Sequence, residues 1–147
     1  MKGVSMTGYF ISAMINQLFK NEKLEITLQI NCMVRGLGYR FSRGDLKISG
    51  TSGNETGALM KGGRLEVVGD GGDFMGFRMS GGRLSVKGNA GTDLGREMSG
   101  GVIIVNGSAG ITAGRGMTGG EIFISGDVGR FPGFEMTGGE LNIQKPL

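Results

Sequence analysis

Apolar residues recur in pairs separated by one variable residue: Leu46 and Ile48, Leu65 and Val67, Leu84 and Val86, Ile103 and Val105, Ile122 and Ile124, Leu141 and Ile143. Each pair lies nineteen residues after the one before it. Alternation of this kind predicts a short strand with one buried face. A fixed period predicts a repeat architecture, to be settled before any local assignment. Glycine pairs keep the same register, at Gly62-Gly63, Gly81-Gly82, Gly100-Gly101, Gly119-Gly120 and Gly138-Gly139. With the first glycine of a pair as place one, the apolar residues occupy places four and six, and glycine also fills places eight, eleven and fifteen. Place eighteen is Met60, Met79, Met98, Met117 and Met136. Residues 43–137 therefore form five full units, and residues 138–144 begin a sixth.

No unit has the length or period of a helix, which excludes the helical repeat families. Strands stacked in parallel, one above its counterpart in the preceding unit, make a β-solenoid in which each coil buries its neighbour's apolar face. At about 4.8 Å between paired strands, five to seven coils span about 25 to 35 Å. Place ten (Ser52, Gly71, Ala90, Ala109, Val128) is small and predicts an inward position in a narrow cross-section. The glycines would turn corners, either with positive φ or by letting stacked backbones approach closely. The methionines read as fillers of one repeated corner of the core rather than as soft metal or heme ligands.

The ends depart from the repeat. Thr7 is placed to cap a helix over residues 8–20, with Ile11, Met14, Ile15 and Leu18 at i, i+3, i+4 and i+7. This is an amphipathic cap within residues 1–23. A turn at Asn21-Glu22-Lys23 precedes a degenerate first coil over residues 24–42, in which Leu24 to Ile30 alternates like a strand and Gly38 and Phe41 fall at places fifteen and eighteen. At the other end Lys145-Pro146-Leu147 follows half a coil, and an open edge there invites a partner. The whole chain reads as one domain.

Composition narrows the chemistry. Glycine accounts for 32 of 147 residues, but with 2 prolines and no Gly-X-Y triplet neither collagen nor disorder fits. Histidine is absent, which removes the imidazole general base and metal ligand together. The single cysteine, Cys32, sits between apolar Ile30 and Met33 and reads as a buried structural thiol. One cysteine allows no internal disulfide, which suits a reducing cytoplasm. No apolar run reaches the roughly 20 residues of a membrane span, and no signal peptide is visible. The net charge of +3 comes from scattered basic residues, without the runs that track phosphates, so neither nucleic acid nor membrane is expected as a partner.

Several motifs could carry chemistry, and each has a plainer reading. The run from Gly114 to Gly119 matches G-x-G-x-x-G, but most of it is already required by the repeat, with Gly116 the only extra residue. Asp70, Asn89 and Asp127 at place nine and Asn54 and Asp73 at place twelve do not repeat in the nine-residue pattern of calcium-binding rolls. Asp70 with Asp73, or Glu97 with Arg78 and Arg96, are the residues a polysaccharide-cleaving β-helix would use, and they also read as solvated charges. No catalytic, cofactor-binding or metal-binding residue is assigned.

The outward places are more informative. Place three runs Asp45, Arg64, Arg83, Val102, Glu121, Glu140, and place five runs Lys47, Glu66, Ser85, Ile104, Phe123, Asn142. Charges give way to Val102, Ile104 and Phe123, an expected exposed apolar patch and the candidate interface. Phe74, Phe77, Phe131 and Phe134 lie along a corner and face either core or partner.

The string Gly-Gly-x-Leu/Ile-x-Val/Ile-x-Gly-x-x-Gly-x-x-x-Gly-x-x-Met-Ser/Thr, as in residues 81–99 and 119–137, resembles the C-terminal domain of the glutamate synthase large subunit and the similar glycine-repeat subunit of formylmethanofuran dehydrogenase. The resemblance covers residues 43–144 strongly and residues 8–42 loosely. It implies a single right-handed parallel β-helix of about six coils that carries no catalytic residues and holds catalytic domains or subunits in place. The chain lacks the cysteine nucleophile, the iron-sulfur cysteines and the flavin-binding barrel of the larger complexes. The expected function is a non-catalytic scaffold without cofactor, partnered by catalytic oxidoreductase subunits, by copies of itself, or by both. The alternative is a small stand-alone enzyme or a carbohydrate- or acidic-ligand-binding protein that uses outward charges.

Overall fold

The computed structural model describes residues 8–18, 20, 25–30 and 32–144. The expected helix cap at Thr7, the turn at Asn21-Glu22-Lys23 and the C-terminal Lys145-Pro146-Leu147 lie outside the described residues. One helix, α1 (Gly8–Leu18), precedes seven strands: β1 (Glu25–Gln29), β2 (Asp45–Ser49), β3 (Lys61–Val67), β4 (Gly81–Val86), β5 (Val102–Val105), β6 (Thr118–Ile124) and β7 (Gly138–Ile143). They form one seven-stranded sheet in sequence order, every neighbour parallel. This is a parallel β-solenoid of about six turns. No described helix is long and apolar enough to cross a membrane.

The register is that of the repeat: Leu46 pairs with Leu65, Leu65 with Leu84, Leu84 with Ile103 and Ile103 with Ile122. Places four and six are buried from β2 to β6, and Met60, Met79, Met98 and Met117 are wholly buried beside them. Ser52, Ala90 and Ala109 at place ten are buried as well, which keeps the section narrow. The core is therefore a set of columns, each built from one place of the repeat.

The corner between places thirteen and seventeen has a conformation that composition conceals. Phe74, Gly76 and Arg78 have φ of 57°, 64° and 51°, and Asp93, Gly95 and Glu97 repeat this at 56°, 63° and 56°. Left-handed residues alternate with others, and every second amide points in turn to the following and the preceding coil. Phe74 and Arg78 N–H donate to Thr92 and Arg96 of the following coil, while Gly76 and Ser80 N–H donate to Thr56 and Met60 of the preceding one. Left-handed backbone costs an ordinary residue about 1–2 kcal/mol. Hydrogen bonds to both neighbours hold it in place.

β1 belongs to the degenerate coil, and its pairing shows where that coil departs. Glu25 pairs with Asp45, an offset of twenty, whereas Gly53 N–H donates to Val34 O, an offset of nineteen. One extra residue therefore lies between Ile30 and Val34. Cys32 and Met33 are pushed outward there, and Cys32 is exposed rather than buried as its apolar neighbours suggest. Beyond it Leu37 and Phe41 enter the core, and Gly36, Gly38 and Arg40 repeat the left-handed corner.

α1 caps this first coil through a different face from the expected one. Ile15 and Ser12 are buried, Ile11 packs against the core, and Met14 and Leu18 are exposed together with Phe10. The Ser12 hydroxyl donates to Gly36 O (3.0 Å) and accepts from Gly38 N (2.7 Å) and Tyr39 N (3.2 Å). Those polar groups on the end coil need partners, so the helix turns Ser12 toward them and Met14 away.

Candidate interaction surface

The outer face of the sheet carries places three and five, because strand side chains alternate and places four and six point inward. Val102 lies beside Glu121 in the ladder and Ile104 beside Phe123, so the three expected apolar residues occupy adjacent strands, β5 and β6. Each is half-buried, shielded by its neighbours across the ladder rather than fully exposed. On the N-terminal side the same face turns charged. Glu25, Asp45, Leu46, Lys47, Arg64 and Glu66 line a shallow open depression of about 250 Å³.

These charges differ from most of those at the left-handed corner. On this face Glu66 meets Lys87 at 3.9 Å, but among the described residues Asp45, Lys47, Arg64, Arg83, Glu121 and Glu140 form no ion pair. At the left-handed corner most charges are paired locally. Arg78 Nε donates to Glu97 Oε2 at 2.6 Å, Arg96 lies 3.6 Å from both Glu97 and Asp93, and Arg115 lies 3.5 Å from Glu135. Arg35 pairs with Glu55 on the same corner. The Arg78 hydrogen bond holds the Glu97 carboxyl below the usual glutamate range; desolvation opposes this, and the charges of Arg78 and Arg96 reinforce it.

Phenylalanines lie along this corner on its outer side, which settles which way they face. Phe74 and Phe77 meet edge to face and are half-buried beneath Arg96 and Arg78. Phe131 and Phe134 are 64% and 48% exposed, with Arg115 over the Phe134 ring. Ile111, on the preceding coil, is also exposed. The sequence does not group Ile111 with them, because place twelve is otherwise polar.

The motifs weighed for chemistry have structural employment. Asp70 Oδ1 accepts the N–H of Asn89 (2.7 Å), Asn89 Oδ1 that of Ser108 (2.8 Å), and Ser108 Oγ that of Asp127 (3.0 Å). Place twelve does the same, Asn54 to Asp73 and Asp73 to Thr92, each at 2.8 Å. These side chains pair coil to coil where no carbonyl reaches the amide. Asp70 and Asp73 are thus acceptors in two separate ladders. Among the described residues no cluster of three or more acidic or cysteine ligands is gathered for a metal. Gly116 has φ 62°, the conformation of Arg78 and Glu97 at the same place, so the G-x-G-x-x-G match follows from coil geometry.

The methionines pack as the sequence implied, with one addition. A Cβ placed on Gly82 would lie 2.8 Å from Met60 Cε, and on Gly101 2.8 Å from Met79 Cε. Each methionine methyl fills the space that a side chain on the glycine pair of the next coil would need.

The outer face of the sheet is thus part apolar and part charged, and among the described residues several of its charges form no ion pair. Comparison of the chain with protein-family models and with curated protein sequences finds no match to either.

Proposed function

We propose that this chain is a non-catalytic assembly module, a β-helix that holds other protein surfaces in place, and that the outer face of its sheet is the contact surface. The observation that carries the reading is the continuity of Val102, Ile104 and Phe123 on β5 and β6 beside charges with no partner in the described chain. The glycine-repeat resemblance to glutamate synthase and formylmethanofuran dehydrogenase supports an oxidoreductase complex as the setting. Against the alternative of an enzyme using outward charges, the residues it would require are committed elsewhere: Asp70 and Asp73 to backbone amides, Glu97 to Arg78. Affinity purification from the native cell tests the proposal. Co-purifying flavin or iron-sulfur proteins, identified by their absorbance spectra and lost with Ile104→Asp, support it. A chain recovered alone that turns over a substrate overturns it.

A further inference from the structure

Three of the seven strands present on the outer face a pairing that a contact with an unrelated surface would not need. In the β2 coil, places three and five are Asp45 and Lys47; in β3 they are Arg64 and Glu66; in β5 they are Val102 and Ile104. Each of these coils carries, side by side on one face, two residues that complement each other, and the order of signs reverses between β2 and β3. None of Asp45, Lys47 and Arg64 forms an ion pair within the described chain.

We infer that this face binds a second copy of the chain, sheet to sheet, about a two-fold axis that runs along the solenoid over place four. The inference rests on the contact-surface reading above and names the partner. Rotation about that axis keeps every coil opposite its own copy and reverses the strand direction, so place three faces place five. Asp45 then meets Lys47 of the second copy, Arg64 meets Glu66, and Val102 meets Ile104, each contact occurring twice by symmetry. Phe123 faces Glu121 of the second copy and lies one strand from its Val102. Arg83 faces Ser85 and Glu140 faces Asn142, so no like charges oppose one another.

The competing two-fold, along the strand direction between β5 and β6, makes a poorer match. It sets Ile104 on Phe123 and Arg83 against Glu140, but leaves the charges of β2 and β3 beyond the edge of the second copy. Area decides in the same direction. Seven strands at about 4.8 Å and five residues at about 3.3 Å give a face of roughly 550 Å² per copy in projection. That is near the lower limit for a specific dimer, so an arrangement using half of it falls short.

Sedimentation of the full chain between about 1 and 100 µM tests the inference. The wild-type chain is expected to dimerise in this range. Lys47→Glu alone and Asp45→Lys alone each place like charges in opposition and should weaken the dimer more than about tenfold. Mixed together, the two variants should form a dimer with every pair restored, which a role confined to one chain would not produce. Arg64→Glu and Glu66→Arg form a second such set, should either of the first variants fail to fold. A wild-type chain that is monomeric at the highest concentration, or single variants that sediment like wild type, overturns the inference, as does a mixture that stays monomeric. Weakening by Arg83→Glu in place of Lys47→Glu overturns it in favour of the other two-fold. A monomeric chain that still co-purifies flavin or iron-sulfur proteins, and loses them with Ile104→Asp, refutes the second copy while leaving the assembly reading intact. If Ile104→Asp changes neither property, both are wrong.

Discussion

At Gly82, Gly101, Gly120 and Gly139, the second glycines of four pairs, a methionine and the backbone of the preceding coil compete for one volume. Gly82 has φ 85°, and a Cβ on it would sit 2.7 Å from the Gly62 carbonyl carbon and 2.8 Å from Met60 Cε. Gly116 shares the left-handed conformation, but its nearest obstruction is Glu97 Cγ at 3.5 Å. Gly116→Ala should therefore cost only the backbone term, about 1–2 kcal/mol. Gly82→Ala adds overpacking against backbone that cannot move alone, and should cost about 2–5 kcal/mol in all. Urea unfolding of the two variants gives the comparison. Glu97 supplies a second prediction at this scale. Its carboxyl is held below the ordinary range chiefly by the Arg78 hydrogen bond, so its contribution to stability is present above the unfolded-state value and is lost as pH falls through the lower folded one. A carboxyl NMR titration should show the Glu97 midpoint rising toward the ordinary range in Arg78→Ala. The melting temperature should scarcely change, because the pair is solvent-exposed.

Among the elements, α1 depends on the coil it covers. Ser12 is buried and joins three polar groups of the first coil, so Ser12→Ala leaves the Gly38 N–H without its 2.7 Å partner. That should cost about 1–3 kcal/mol in urea unfolding. It should also raise amide exchange at Gly38 and Tyr39 well before it does so in β4. The sequence could not show this contact, since helical periodicity selects a face from apolar residues alone and a serine carries no weight in that reading. Periodicity turns Met14 and Leu18 inward for the same reason. The strands were legible because Leu84 and Val86, with their counterparts one period away, had to stack upon like residues to be buried. The left-handed corner was not. Phe74, Asp93 and Arg78 carry no mark of positive φ, and only the glycine between them did. Asp70 and Asn89 are visible in the sequence as a column, but not as acceptors, because the unpaired amide opposite each of them is a property of the coil's path. The apolar members of the outer face were legible from alternation. That its charges lack partners required the side-chain geometry.

The molecule as a whole behaves as a column of equivalent layers, and its length is set by how many layers there are. Removing residues 81–99 deletes one period and joins Ser80 to Gly100. Leu65 then stacks on Ile103, Val67 on Val105, Met60 beneath Gly101, and Asp70 accepts from Ser108 N–H, each new neighbour being of the same kind as the old. The shortened chain should fold, with a urea m-value lower by about one-seventh in keeping with the buried surface lost. Removing residues 81–90 instead sets Leu65 and Val67 against Leu94 and Arg96, and Ile103 and Val105 against Phe74 and Gly76, and should leave no cooperative transition. The pair of deletions also reports on assembly. If every coil faces its own copy, two molecules of the nineteen-residue deletion remain matched along their whole length. A wild-type molecule beside a shortened one is displaced by one strand beyond the junction, which brings Val102 and Ile104 opposite Ser85 and Arg83. Mixed in equal amounts, the two chains should sort into separate homodimers, and native mass spectrometry of the mixture should find the mixed species well below its statistical share. A statistical distribution would mean that the contact lies outside the sheet face or does not run in register with the coils.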